Sequence, residues 1–226
     1  MEGWERDLGT HPLKGKRVAI APTLGSAIVR PEVEASVRAA AEALVRDAGL
    51  VVVDVPVKVP GLGLEWAITN LVTLRADLID LWPGCKDDLS KEIAFGLEMA
   101  EQMSNLEMSA RSELARIDAN ETMAGLFDQV DFVISATNPD VAYPAEVMAN
   151  TRVGNQKVGL ENNGALTIPA NVCGNPAISI PVAPVDGLPV GMQVMGRHQE
   201  DALLLDLALV VEHTCPWPLT VPAAPV

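Results

Sequence analysis

No run of apolar residues in this chain is long enough to cross a bilayer. Stretches such as Leu50-Val51-Val52-Val53 soon break off, where a spanning helix needs about 20 residues. The opening Met1-Glu2-Gly3-Trp4-Glu5-Arg6-Asp7 has no basic segment leading into an apolar one. No secretory signal is therefore expected, and the protein is expected to be soluble and cytoplasmic, with no membrane partner. Basic residues are scarce: 16 Lys and Arg stand against 30 Asp and Glu, a formal charge of −14. The densest basic cluster, Lys14-Gly15-Lys16-Arg17, reads as a solvated strand entrance. It falls far short of a phosphate-neutralising face, so nucleic acid is excluded as a partner. The acidic surplus acts mainly on solubility. Cysteine is also sparse. Cys85, Cys173 and Cys215 are odd in number, far apart, and form neither a CxxC nor a Cys/His spacing. They imply reduced thiols rather than a disulfide framework or a metal site, and no cofactor is expected.

What is present is apolar material, 49% of 226 residues, with 17 Gly and 17 Pro. That suffices for the core of one large domain or two small ones. Residues 1–12 read as an N-terminal tether ending at His11-Pro12, and 13–226 as the folded domain. Arg17-Val18-Ala19-Ile20-Ala21 has the pattern of a strand, stopped by Pro22 and Gly25. Pro31 suits a first helical position. Val33, Val37, Ala40, Ala41 and Leu44 then recur on one helical face until Gly49. Leu50 to Val55 follows as a β-branched strand. Strand, helix and strand over about 40 residues make a βαβ unit, whose strands should be parallel neighbours covered on both faces.

After a loop rich in Pro and Gly, helices are predicted over 64–82, 88–102 and 105–127. The last carries Leu106, Ala110, Leu114 and Ile117 on one stripe. Residues 130–135 form a third strand. Residues 136–170 have little helical or strand pattern and much Asn, Gly and Pro, as functional loops often do. Residues 177–182 and 189–194 read as a hairpin turning at Asp186-Gly187. A final helix over 201–213 is expected to bury Leu204, Leu205, Ala208 and Val211. The fold class predicted is α/β, a mixed β-sheet covered by helices.

A compound motif lies near the C-terminus. Asn171-Val172-Cys173-Gly174-Asn175-Pro176-Ala177-Ile178-Ser179-Ile180-Pro181 is followed by Gly187-Leu188-Pro189-Val190-Gly191-Met192-Gln193, then Gly196-Arg197, Asp201 and Leu204-Leu205. This order resembles the C-terminal block of the amidase-signature family, which includes the A subunit of glutamyl-tRNA amidotransferase. Upstream, Leu13-Lys14-Gly15-Lys16-Arg17-Val18-Ala19 is similar to the strand that follows the family's signature. The segment Phe127 to Thr137 is similar to the family's F-x-x-x-D-x-L-x-x-P-T, although Ser135-Ala136 departs from it. The resemblance covers nearly the whole chain but only about half of a family member. It implies the C-terminal part of an α/β/α amidase fold.

The resemblance also implies a reaction: hydrolysis of a carboxylic amide by a Ser nucleophile, a bridging Ser and a neutral Lys, without a metal. Such chemistry needs an activated nucleophile and oxyanion donors. The Gly/Ser-rich signature that supplies them has no counterpart here. Gly25-Ser26 is the sole Gly-Ser pair, and neither Gly-Ser-Ser nor Ser-Gly-Gly occurs. No catalytic residue is therefore assigned. Ser90 with Lys86 and Lys91 lacks a glycine loop, and Cys173 fills a variable slot of its motif as a small apolar residue. What the resemblance implies for this segment is the substrate-side wall of the pocket, where Thr137, Asn138, Thr167 and Asn171 are the candidate substrate-binding residues. Each can equally bond its own backbone in a turn.

The leading expectation is an amidase-related scaffold, inactive alone. It would serve a small amide substrate in the complete enzyme, with an N-terminal signature-bearing half as partner. A split gene product, a truncated chain and a decayed paralogue all fit that expectation. The alternative is a non-enzymatic binding or assembly subunit, and a third reading gives Cys173 or Ser90 a hydrolase chemistry of its own. Apolar surface left by a missing half predicts a homo-oligomer.

Overall fold

The computed structural model describes residues 3–147 and 149–217. A short helix α1 (Trp4–Asp7) precedes strand β1 (Arg17–Ile20), helix α2 (Pro31–Ala48) and strand β2 (Val51–Val52). Three helices follow, α3 (Gly63–Asp77), α4 (Lys91–Met103) and α5 (Leu106–Phe127), and then strand β3 (Phe132–Ala136). A small hairpin of β4 (Arg152–Val153) and β5 (Gln156–Lys157), a 3₁₀ segment Leu160–Gly164 and helix α6 (Ile168–Cys173) lead to β6 (Ala177–Val185), β7 (Leu188–Gly196) and α7 (Asp201–Thr214).

The main sheet runs β2-β1-β3-β7-β6. β1 is parallel to both β2 and β3, and β7 is antiparallel to β3 and β6, so the sheet is mixed. The strands predicted near 17–21, 50–55 and 130–135 do lie together, and the hairpin extends them. Its turn places Asp186 at φ 52° and Gly187 at φ 76°, the double positive φ of a type I′ connection, which suits Asp-Gly. β3 is buried along its whole length because it is flanked by strands and covered by helices. β2 departs from expectation. It is two residues long, sits at the sheet edge, and leaves Val51 and Val52 about half exposed. An edge strand has a partner on one side only, so its apolar run is not enclosed.

Pro31 begins α2 and Gly49, left-handed at φ 66°, ends it. The buried face is Val33, Val37, Ala41, Leu44 and Ala48, with Ala40 half-buried beside it. Ser90 caps α4 through Ile93 N–H, and Asn105 caps α5 through Met108 N–H. The α5 stripe exists but faces solvent: Leu106 is 87% and Leu114 66% exposed, and the helix buries Ala119, Met123, Leu126 and Phe127 near its end instead. In α7 the buried face is Leu203, Leu204, Asp206 and Leu207, rotated from the predicted one. Asp206 is drawn inward because it accepts bonds from Gly9 N–H, His11 N–H and the His11 ring. Segment 136–170 holds the small hairpin and the 3₁₀ turn, so it is more ordered than its composition suggests. No helix among the described residues is long and apolar enough to cross a membrane.

Candidate functional site

Three segments far apart in sequence meet beyond the end of β3. The chain leaves the sheet at Thr137, whose N–H donates to Gly191 O at 2.9 Å. Thr137 Oγ1 lies 2.7 Å from Ser179 Oγ on β6. Gly191 on β7 sits beneath that pair, and a Cβ there would fall 2.5 Å from Ser179 Oγ and 2.7 Å from Thr137 Oγ1. Glycine is thus required for the two hydroxyls to meet. They open into a hollow of about 500 Å³, walled also by Asn138, Asp140, Tyr143 and the β6–β7 hairpin. The volume is of the size that takes a small organic molecule.

Two adjacent asparagines hold the opposite wall. Asn162, buried, donates through Nδ2 to Ile28 O at 3.0 Å and accepts from Ile28 N–H at 2.9 Å. Its amide thus pairs with one backbone unit as a neighbouring strand would. Asn163 repeats this with Asn150, donating to its carbonyl and accepting from its N–H, both at 3.1 Å. Both bond pairs tie an irregular loop to the fold, where the backbone lacks strand partners. Arg30 braces the rim. Its N–H donates to Pro139 O at 2.8 Å, and its guanidinium meets Glu32 (3.0 Å), Asp140 (3.5 Å) and Asp186 (2.6 Å). The bonds to Asp186 and then Glu32 push its pKa up, so the cation is held firmly.

The four residues expected in a substrate wall separate into two groups. Thr137 and Asn138 line the hollow together. Thr167 stands at the entry to α6 without a side-chain capping bond. Asn171, exposed on α6, opens into a second and shallower hollow with Gly174, Asn175 and His198. The motif's other polar residues are structural. Gln193 Nε2 donates to Ser135 Oγ and to Leu166 O, fully inside the core. Arg197 donates to Phe127 O and Val130 O and pairs with Asp131, closing the end of α5. Ser179 belongs to the compound motif, which could have marked it, whereas Asn162 and Asn163 do not stand out as site residues in the sequence. An Asn-Asn pair between glycines is the available signal, but it does not say which backbone the amides will meet.

The alternative nucleophiles are spent elsewhere. Ser90 is the α4 cap, and Lys86 pairs with Glu98. Cys173 is buried, which pushes its thiol pKa up against the opposing pull of Arg116, and His198 Nε2 meets the Cys173 carbonyl at 2.8 Å rather than its sulfur. No His, Lys or Cys is among the described residues that line the first hollow. Hydroxyls and amides there can bind and orient an amide, and the Thr137 and Ser179 hydroxyls meet each other rather than an imidazole or amine that would activate them. Among the described residues no group of three or more His, Cys, Asp or Glu is placed to hold a metal ion.

The family model described as Amidase matches residues 6–205. An acylamidase of Rhodococcus erythropolis is 27% identical over 219 residues, covering 91% of this chain and 43% of the relative. The A subunit of glutamyl-tRNA(Gln) amidotransferase from Listeria monocytogenes is 32% identical over 102 residues, 45% of this chain and 20% of the relative. The structure of a bacterial aryl acylamidase belonging to the amidase-signature enzymes superposes with a TM-score of 0.77 at 20% identity. That match covers 94% of this chain and 46% of that one. The chain therefore spans less than half the length of these relatives.

Proposed function

The chain belongs to the amidase family, and on that premise we propose that it forms the scaffold and substrate-side wall of an enzyme hydrolysing a carboxylic amide to the acid and ammonia or an amine. The observation that carries the reading is the hollow at Thr137, Ser179 and Gly191, built by the family-matched segments themselves. Thr137 and Asn138 present a hydroxyl and an amide to the substrate. Thr167 and Asn171 lie outside the hollow, at the entry to α6 and on it, so this reading gives them no contact with substrate there. The nucleophilic Ser, bridging Ser and Lys base implied by the family are not drawn from these 226 residues, which contain no Gly-Ser-Ser. They come from a signature-bearing segment, whether on the same polypeptide or on another.

Such a segment needs a surface to pack on. Ile79, Leu81, Phe95, Leu106 and Leu114 each expose 60% or more of their area. The accessible surface, 13409 Å² for 24.0 kDa, is about a third above the roughly 10,000 Å² expected of a compact chain this size. The experiment is direct. Acid release from a panel of aliphatic and aryl amides is measured for the purified chain with and without a signature-bearing half. Turnover is expected only with the half added, and less of it in Thr137→Val. Turnover by the chain alone that survives repeated purification would overturn the proposal. Tight pairing with no turnover would favour a binding or assembly role instead.

A further inference from the structure

We propose that the hollow selects by charge, taking amides whose acyl group carries no negative charge and rejecting carboxylate-bearing ones, with Asp140 as the determinant. The inference rests on the reading of this hollow as the substrate site. Asp140 lies in its wall with its carboxylate oriented by Val141 N–H at 2.8 Å. Its side chain is 12% exposed, so its field reaches a ligand through little intervening water. Arg30 is the cation beside it, but that guanidinium is divided among Glu32, Asp140 and Asp186, with Asp140 at the longest distance of the three. One guanidinium against three carboxylates leaves the rim formally two charges negative. No Lys or Arg is among the described residues lining the hollow. Arg152 and Lys157, on the β4–β5 hairpin, are both exposed, and Arg152 donates to Asn155 O. The remaining polar side chains of the described wall are all hydroxyls and carboxamides, which carry no formal charge at neutral pH. A concave site lined by one sign of charge focuses its field on what enters. A neutral amide finds hydrogen-bonding partners there, an amine-bearing one gains attraction, and an anion meets repulsion with no cation to pair it.

Three nearly isosteric probes separate charge from shape: benzamide, the benzamidinium cation and benzoate. Their binding to the full chain at neutral pH is read by chemical-shift perturbation. Benzamide and benzamidinium are expected to bind, with benzoate weaker by about tenfold, the scale of one partly screened like-charge contact. Asp140→Asn should bring benzoate within about twofold of benzamide, since removing one charge removes that contact. Because Asp140 also supports its loop, Asp186→Asn is the second variant. It lies outside the hollow, in a positive-φ turn position that Asn tolerates, and it should narrow the gap in the same direction. Benzoate binding as tightly as benzamide to the unaltered chain would overturn charge selection while leaving the substrate-site reading intact. Failure of all three probes to bind would overturn both.

Discussion

A methyl group at Gly191 would have to displace two hydroxyls that already touch, Thr137 Oγ1 and Ser179 Oγ, at 2.7 and 2.5 Å from its carbon. Gly191→Ala is expected to lower stability by about 1–3 kcal/mol, the usual cost of overpacking, and to separate the hydroxyl pair. Urea unfolding measures the first effect. A variant as stable as the parent would mean that the two side chains rotate aside freely. Asp206 offers a test in pH. Burial pushes its pKa up, but bonds from Gly9 N–H, His11 N–H and the His11 ring outweigh that and hold it below its ordinary value. A carboxyl lowered in the native state stabilises fully above its unfolded pKa, about 3.9, and loses that contribution as pH falls through the folded value. Asp206→Asn should therefore cost about 1–3 kcal/mol at neutral pH by leaving its donors poorly paired. The deficit should shrink as unfolding is repeated below about pH 4. A deficit that stays constant into acid would show that the carboxylate's charge plays no part.

At the scale of elements, the 3₁₀ segment Leu160–Gly164 matters beyond its length, because Asn162 and Asn163 reach from it to Ile28 and Asn150. Asn162→Ala removes both bonds to Ile28 and leaves that residue's half-buried N–H and C=O short of partners. The expected loss is about 1–3 kcal/mol, and the 24–30 loop should become the first site of limited proteolysis. Cleavage that begins elsewhere, at an unchanged rate, would show that this loop is held by other contacts. The motif's Asn175 works differently, donating to Gly196 O and so tying the start of β6 to the end of β7. The polar residues of the motif thus divide into hairpin braces and pocket wall, and strand face alone does not make the division, since Ser179 in the wall and Gln193 in the core are register partners on one face.

At the scale of the molecule, the exposed stripe of α5 is the feature most in need of a partner. Large apolar surfaces seldom remain open on soluble monomers. We therefore expect the chain to self-associate at tens of micromolar, about the concentration of ordinary sedimentation work, where a patch of this kind finds itself. Leu106→Glu with Leu114→Glu should shift it toward monomer with little loss of stability, because both side chains already face water. A compact monomer of the unaltered chain under those conditions would contradict the expectation. An added signature-bearing half that competes with self-association would place both partners on one surface.

Sequence alone determined the order of the main strands and longer helices, because it is written in local terms, but not the small elements α1, β4, β5 and α6. Pro31 and Gly49 bound α2, a continuous apolar run marks β3, and Asp186-Gly187 demands a type I′ turn. It also determined the family, through the spacing from Asn171 to Leu205. It did not determine direction. The α5 stripe has the period of a buried face, yet period says only that residues share a side, not which side is covered, and that depends on what packs there. The Val51-Val52 run reads as enclosed, but a strand's neighbours are fixed by pairing across the sheet. The hollow was legible only in its polar composition. Thr137, Ser179, Asn162 and Arg30 become neighbours because four segments distant in sequence converge at the end of β3. Only tertiary structure decides which side chains meet there, and which of four plausible wall residues, Thr137 and Asn138 rather than Thr167 and Asn171, face the same space.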